Sequence, residues 1–195
     1  MWNLPNILTL LRIALIPIFI GVYYLPWEGR HLASAAIFGI AAGTDWLDGY
    51  LARKLDQFTP FGAFLDPVAD KLIVASALIM LLESHANVLF ALPTLVIIGR
   101  EIVISALREW MAELGERAKV AVSQLGKIKT VTQMTAITLL LAQKPDFTAD
   151  GDIIMNPWLW LSYGLLYLAT AFTLWSMGSY LRAAAPQLLK SQSKS

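Results

Sequence analysis

Hydrophobic positions in this chain gather in long runs. They show neither the two-residue alternation of a half-buried strand nor the single apolar stripe of a surface helix. Six runs approach the roughly 20 apolar residues a helix needs to cross a hydrocarbon layer of about 30 Å: 7–25, 32–51, 61–82, 88–107, 129–142 and 157–181. The fifth is diluted at its start by Lys127, Lys129, Thr130, Thr132 and Gln133, and its helix is expected to begin as far back as about residue 120. Pro17 should kink the first, a distortion membrane helices tolerate when neighbours re-satisfy the freed carbonyl. No repeat, low-complexity stretch or long linker divides the chain. The pattern therefore predicts an all-α polytopic membrane protein, a bundle of six transmembrane helices in one domain over 1–185, with a flexible tail at 186–195.

Composition strengthens this. The 195 residues are 57% hydrophobic and only 15% charged, where a soluble domain carries about 25% charged residues. A net charge of +1 gives no footprint for a nucleic-acid partner. The absence of cysteine excludes disulfides, thiolate catalysis and zinc–cysteine sites. The first run lacks the basic flank and small-residue cleavage site of a signal peptide, so it is expected to stay in the mature protein. With the N-terminus inside, Arg12, Arg53, Lys54, Arg108, Arg117, Lys119, Lys127, Lys129, Arg182, Lys190 and Lys194 fall on or near the cytoplasmic side. Only Arg30 and Lys144 fall outside, and this bias orients membrane helices. Both termini are then cytoplasmic. Trp2, Trp27, Trp110, Trp158 and Trp160 lie near run ends, where indole rings favour the interface.

Against this apolar background Asp45, Asp48, Asp66, Asp70, Lys71, Arg100 and Glu101 stand out, because an ionisable group at membrane depth costs several kcal/mol and usually marks function. Lys71 and Glu101 have a plainer reading as partners of a neighbouring charge. The aspartates do not. At about 100° per residue, Asp45 and Asp48 sit about 60° apart on the second helix, while Gly62, Asp66 and Asp70 form one stripe on the third. A short connection makes the two helices antiparallel neighbours, so their acidic faces can meet near the cytoplasmic surface. Four carboxylates with only Arg53 or Lys71 nearby would repel one another severely. Oxygen ligands without His or Cys suit hard divalent cations, Mg²⁺ or Mn²⁺. Small residues at Gly49, Ala52 and Gly62, beside Arg53 and a cation, make a plausible pyrophosphate site.

The pattern D-x2-D-G-x2-A-R-x8-G-x3-D-x3-D, running from Asp45 to Asp70, resembles the signature of the CDP-alcohol phosphatidyltransferases without departure. The resemblance spans the whole chain and extends to 3–12 (NLPNILTLLR), 44–49 (TDWLDG), 61–71 (FGAFLDPVADK), 100–115 (REIVISALREWMAELG) and 120–130 (VAVSQLGKIKT). These stretches look like the bacterial members that transfer a phosphatidyl group from CDP-diacylglycerol to sn-glycerol 3-phosphate, releasing CMP. The resemblance implies two metal ions held by Asp45, Asp48 and Asp66 with Asp70 at the edge, and Asp70 as general base. It gives Gly49, Ala52, Arg53 and Gly62 to the CDP moiety, with Asn6 and Thr9 closing the nucleotide pocket. It further implies a homodimer in the bacterial inner membrane with its active site facing the cytoplasm.

A phosphorylated acceptor needs a second anion site. Arg100, Arg108, Lys127 and Lys129 are the candidates, with the two lysines expected nearer bulk water. The alternative is that Arg108, Lys127 and Lys129 only follow the charge bias. Serine, inositol or inositol phosphate as acceptor is the main competing reading. An ion-coupled transporter would need inverted repeats and broken helices, and an intramembrane aspartyl protease needs two aspartates, not four. Gly126-Lys127 is not a phosphate loop, since Ala121 stands where its first glycine would be. His31 and His85 carry no assigned role, and Glu109, Glu113 and Glu116 read as a solvated helix face.

Overall fold

The computed structural model describes residues 4–55, 59–115, 124–149 and 153–192. It is all-helical, with six helices among those residues: α1 Leu4–Tyr24, α2 Arg30–Leu55, α3 Pro60–His85, α4 Val88–Glu113, α5 Gln124–Leu141 and α6 Pro157–Gln192. Each overlaps one of the six apolar runs and extends beyond it at one or both ends, α1 and α5 stopping one residue short of the end of theirs. α1 continues through Pro17 without interruption. α6 continues to Gln192, through most of the segment expected as a tail. The expected backward extension of α5 to residue 120 falls on residues outside the described part.

The turns have local causes. α3 ends at Ala86, whose left-handed backbone (φ 44°, ψ 37°) lets its N–H bond the Leu82 carbonyl, and Asn87 then caps α4 by accepting from the Phe90 N–H. With only Ala86 and Asn87 between them, α3 and α4 are forced to run antiparallel. α5 and α6 are joined by the longer segment 142–156, tied by an isolated bridge between Phe147 and Ile153.

α1 packs broadly on both α2 and α3, α5 packs on α6 and α2, and α4 packs on α6 and α3. The main apolar core, built around Phe19, Phe38, Leu78, Phe90, Ile137 and Leu166, fills the middle and one end of the bundle. A smaller cluster of Ile104, Leu107, Met111, Tyr180 and Ala184 joins α4 to α6 at the other end. The outside of the bundle is apolar too: Leu95, Val88, Leu32, Phe64 and Trp175 are all about 70% exposed. A surface of this kind is foreign to a soluble monomer. α1 from Asn6 to Tyr24, and α4, are long and apolar enough to cross a membrane by length and composition.

Candidate active site

The polar end of the bundle is where α1, α3 and α5 begin and α4 and α6 finish. There α3 starts under an N-cap: the Thr59 hydroxyl accepts from the Gly62 N–H at 3.0 Å, and Pro60 sets the backbone angle of the first turn. The same hydroxyl donates to Asn6 Oδ1 at 3.0 Å. Next along α1, Thr9 Oγ1 donates to Asp66 Oδ1 at 2.5 Å. Next again, Arg12 Nη1 donates to Asp70 Oδ1, also at 2.5 Å. An i+3 row on α1 thus meets an i+4 row on α3, in parallel. Gly62 belongs to this ladder, because a Cβ there would stand 2.5 Å from Asn6 Oδ1. The missing side chain admits α1, a use that the resemblance, which gave Gly62 to the nucleotide, does not include.

Opposite the carboxylates stands a wall of cations. Arg100 Nη1 and Lys129 Nζ both donate to Glu101 Oε1, at 3.0 and 2.5 Å. Arg100 Nη2 donates to Ser176 Oγ at 2.9 Å, and Arg108 Nη2 to the Tyr180 hydroxyl at 2.9 Å. Both guanidinium groups lie over the Tyr180 ring, 5.7 and 5.1 Å from its centre, within cation–π range. Glu101 therefore does pair with its neighbours. Lys129 departs from expectation: it is buried at 4% exposure, not near bulk water, because Glu101 draws its ammonium inward.

Between carboxylates and cations lies one cavity of about 430 Å³, lined by Asp66, Asp70, Lys71, Arg100, Glu101, Arg108, Lys129 and Tyr180 among others. A larger cavity of about 650 Å³ at the other end of the bundle is lined by His85, Asn87 and mostly apolar or aromatic residues, with no carboxylate, lysine or arginine. Of these two cavities, the first brings carboxylates and cations together among the described residues.

α2 carries Asp45, Asp48, Gly49, Ala52 and Arg53 on its last three turns, but their side chains lie outside the described part, as does that of Lys127. Among the described residues no three carboxylates or imidazoles are grouped to hold a metal ion; Asp66 and Asp70, the described half of the acidic set, offer the oxygen donors that a hard divalent cation takes. Asp66 and Asp70 are one turn apart, both open on the cavity, and the Asp70 side chain is 41% exposed. The donors there are oxygens, with no imidazole or thiol.

Arg12 is the site residue that the sequence reading passes over. It is 1% exposed and ion-paired with Asp70, whereas the charge-bias argument counts it only among the cations on or near the cytoplasmic side. Its signal was available: a lone arginine well inside an apolar run. Ser176 and Tyr180 were hidden among the polar and aromatic residues of α6, which helical periodicity alone does not single out.

Comparison with known proteins bears on this geometry directly. The family model of the CDP-alcohol phosphatidyltransferases matches residues 2–175. A CDP-diacylglycerol–glycerol-3-phosphate 3-phosphatidyltransferase of Pseudomonas fluorescens is 54% identical over 187 residues, which cover 95% of this chain and 92% of the relative. Proteins of the same name from Salmonella typhimurium (strain LT2) and Escherichia coli (strain K12) are each 49% identical over 191 residues, covering 96% of this chain and 98% of the relative. An acidic row and a cation wall share one cavity, and the match runs nearly end to end: this chain belongs to the CDP-alcohol phosphatidyltransferase family.

Proposed function

We propose that the protein transfers the phosphatidyl group of CDP-diacylglycerol to sn-glycerol 3-phosphate, giving phosphatidylglycerophosphate and CMP. The observation that carries this is the shared cavity: carboxylates on one wall, and on the other more cations than a diphosphate alone requires. The relatives at 49–54% identity bear the name of this activity.

Asp45, Asp48, Asp66 and Asp70 would hold two Mg²⁺ or Mn²⁺ ions, which supply charge neutralisation at the diphosphate and at the departing CMP. The chain itself does the rest. Gly49, Ala52 and Arg53, with Gly62, Asn6 and Thr9 bracing α3, frame the CDP moiety. Asp70 accepts the proton of the acceptor hydroxyl as its oxygen bonds to the β-phosphorus and the bond to CMP breaks. An ordinary carboxylate suffices, since it need only take the proton as that bond forms. Arg100, Arg108 and Lys129, together with Lys127, bind the acceptor phosphate. Arg100 commits one donor to Glu101 and one to Ser176, so its fork retains donors for an anion.

The apolar exterior and the 11-to-2 distribution of basic residues support six membrane-spanning helices, both termini in the cytoplasm, and a cavity opening on the cytoplasmic face of the inner membrane. The family resemblance adds a homodimer. The deciding measurement is CMP release from CDP-diacylglycerol by purified protein with Mg²⁺, across glycerol 3-phosphate, glycerol, serine, inositol and inositol phosphate. Glycerol 3-phosphate should far exceed the rest. Equal turnover with serine or inositol would overturn the acceptor assignment.

A further inference from the structure

The contact between Arg12 and Asp70 has two features that a helix-pinning salt bridge does not need. First, the guanidinium is buried on the α1 side at 1% exposure, while the Asp70 side chain it holds is 41% exposed and opens on the cavity. The cation is thus aimed at a group that faces substrate. Second, the contact ends a row in which each α1 residue touches the neighbourhood of a signature residue: Asn6 at Gly62, Thr9 on Asp66, Arg12 on Asp70. The α1–α3 pair is already joined at its far end by the Tyr23 hydroxyl donating to Ser84 Oγ at 2.9 Å, within the main apolar core. Ion pairs taken out of water add little net stability, so a buried arginine placed here is better explained by what it orients.

We propose that Arg12 is a positioning residue for the proton transfer. Its guanidinium holds Asp70 Oδ1 and thereby sets the plane of the carboxylate against the acceptor hydroxyl, while Thr9 does the same more weakly for Asp66. An arginine suits this role better than a lysine, because the buried guanidinium directs one N–H along a fixed line to Asp70 Oδ1, where a freely turning ammonium fixes only distance. A carboxylate left to rotate still attracts cations but meets the hydroxyl in fewer productive geometries, and such misplacement lowers kcat without weakening binding.

This rests on the proposed transferase reading, and the test separates the two. Arg12→Lys, Arg12→Gln and Thr9→Val are compared with wild type for kcat and both KM values, for CDP binding by calorimetry, and for the thermal midpoint in detergent. Wild type is first assayed with the acceptor panel, and the variants are then assayed with whichever acceptor it uses. A wild type that rejects glycerol 3-phosphate therefore sinks the acceptor reading without touching this inference. Losing one charge-assisted hydrogen bond should lower kcat about 10- to 150-fold in Arg12→Gln. Arg12→Lys should recover only part of that, and Thr9→Val should lose less. In Arg12→Lys, which keeps the charge, both KM values, CDP affinity and the midpoint should stay near wild type. Wild-type kcat in Arg12→Lys would overturn the proposal. So would a kcat loss in Arg12→Lys matched by a fall in CDP affinity or midpoint, since Arg12 would then be holding the helices together.

Discussion

Gly62 sits in a helix, where alanine is intrinsically favoured by about 1 kcal/mol, yet a Cβ there would collide with Asn6 Oδ1. Gly62→Ala should therefore leave the thermal midpoint close to wild type while lowering turnover modestly, because the Asn6 side chain must swing off the Thr59 hydroxyl and loosen the ladder that Thr9 and Arg12 continue. Adding Asn6→Ala to Gly62→Ala should restore part of the lost kcat, and additive losses in that double-mutant cycle would show the contact to be incidental. Asp45→Asn, Asp48→Asn, Asp66→Asn and Asp70→Asn should each cut turnover by orders of magnitude in protein that still inserts. Asp70→Asn should spare metal affinity more than the other three, and wild-type turnover in any one removes that residue from the mechanism. The aspartates were legible in the sequence because charge is rare in an apolar run and their spacing is helical. The ladder that aims them was not. Thr9 to Asp66 and Arg12 to Asp70 span 57 and 58 residues, and helical periodicity says which face a residue is on but not which helix it meets.

At the scale of elements, α4, α5 and α6 together build the cation wall, and Glu101 is its internal counter-ion. Two cations share one of its oxygens. Glu101→Gln leaves Arg100 and Lys129 uncompensated, a loss of up to about 3 kcal/mol given that a quarter of the Glu101 side chain is exposed. Glycerol 3-phosphate should then raise the thermal midpoint of the variant more than that of wild type, by replacing the missing anion. An equal rise in both proteins would place the acceptor phosphate elsewhere. Neutralising Arg100, Arg108 or Lys129 to Ala should raise KM for glycerol 3-phosphate about 10- to 150-fold per lost charge-assisted contact, and change KM for CDP-diacylglycerol far less. Steady-state kinetics with each substrate varied in turn checks this. Burial now puts Lys129 on a par with the arginines, contrary to its apparent place at a diluted helix start. The six helices themselves were legible from the length of the apolar runs: their starts agree to within a residue where the caps Thr59 and Asn87 decide the boundary, whereas α4 and α6 run on past the apolar stretch to Glu113 and Gln192.

The whole molecule turns the usual arrangement outward: polar groups gather in an interior cavity at one end, and large apolar side chains face out along the bundle. On the proposed topology the cavity opens to the cytoplasm, where the charge bias would put Arg12, Arg108 and Lys129 and where a soluble phosphorylated acceptor would reach it. On that topology the short turn at 86–87 and the segment 142–156 would lie outside, along with the exposed turn residues Trp27 and Glu28. The cysteine-free chain allows a direct test with exposed single substitutions, Glu28→Cys beyond α1 and Glu113→Cys at the end of α4. In spheroplasts an impermeant thiol reagent should label Glu28→Cys at once and Glu113→Cys only after permeabilisation. The reverse pattern would put the cavity on the outer face, where a cytoplasmic phosphorylated acceptor cannot reach it. The orientation and the acceptor assignment would then fall together.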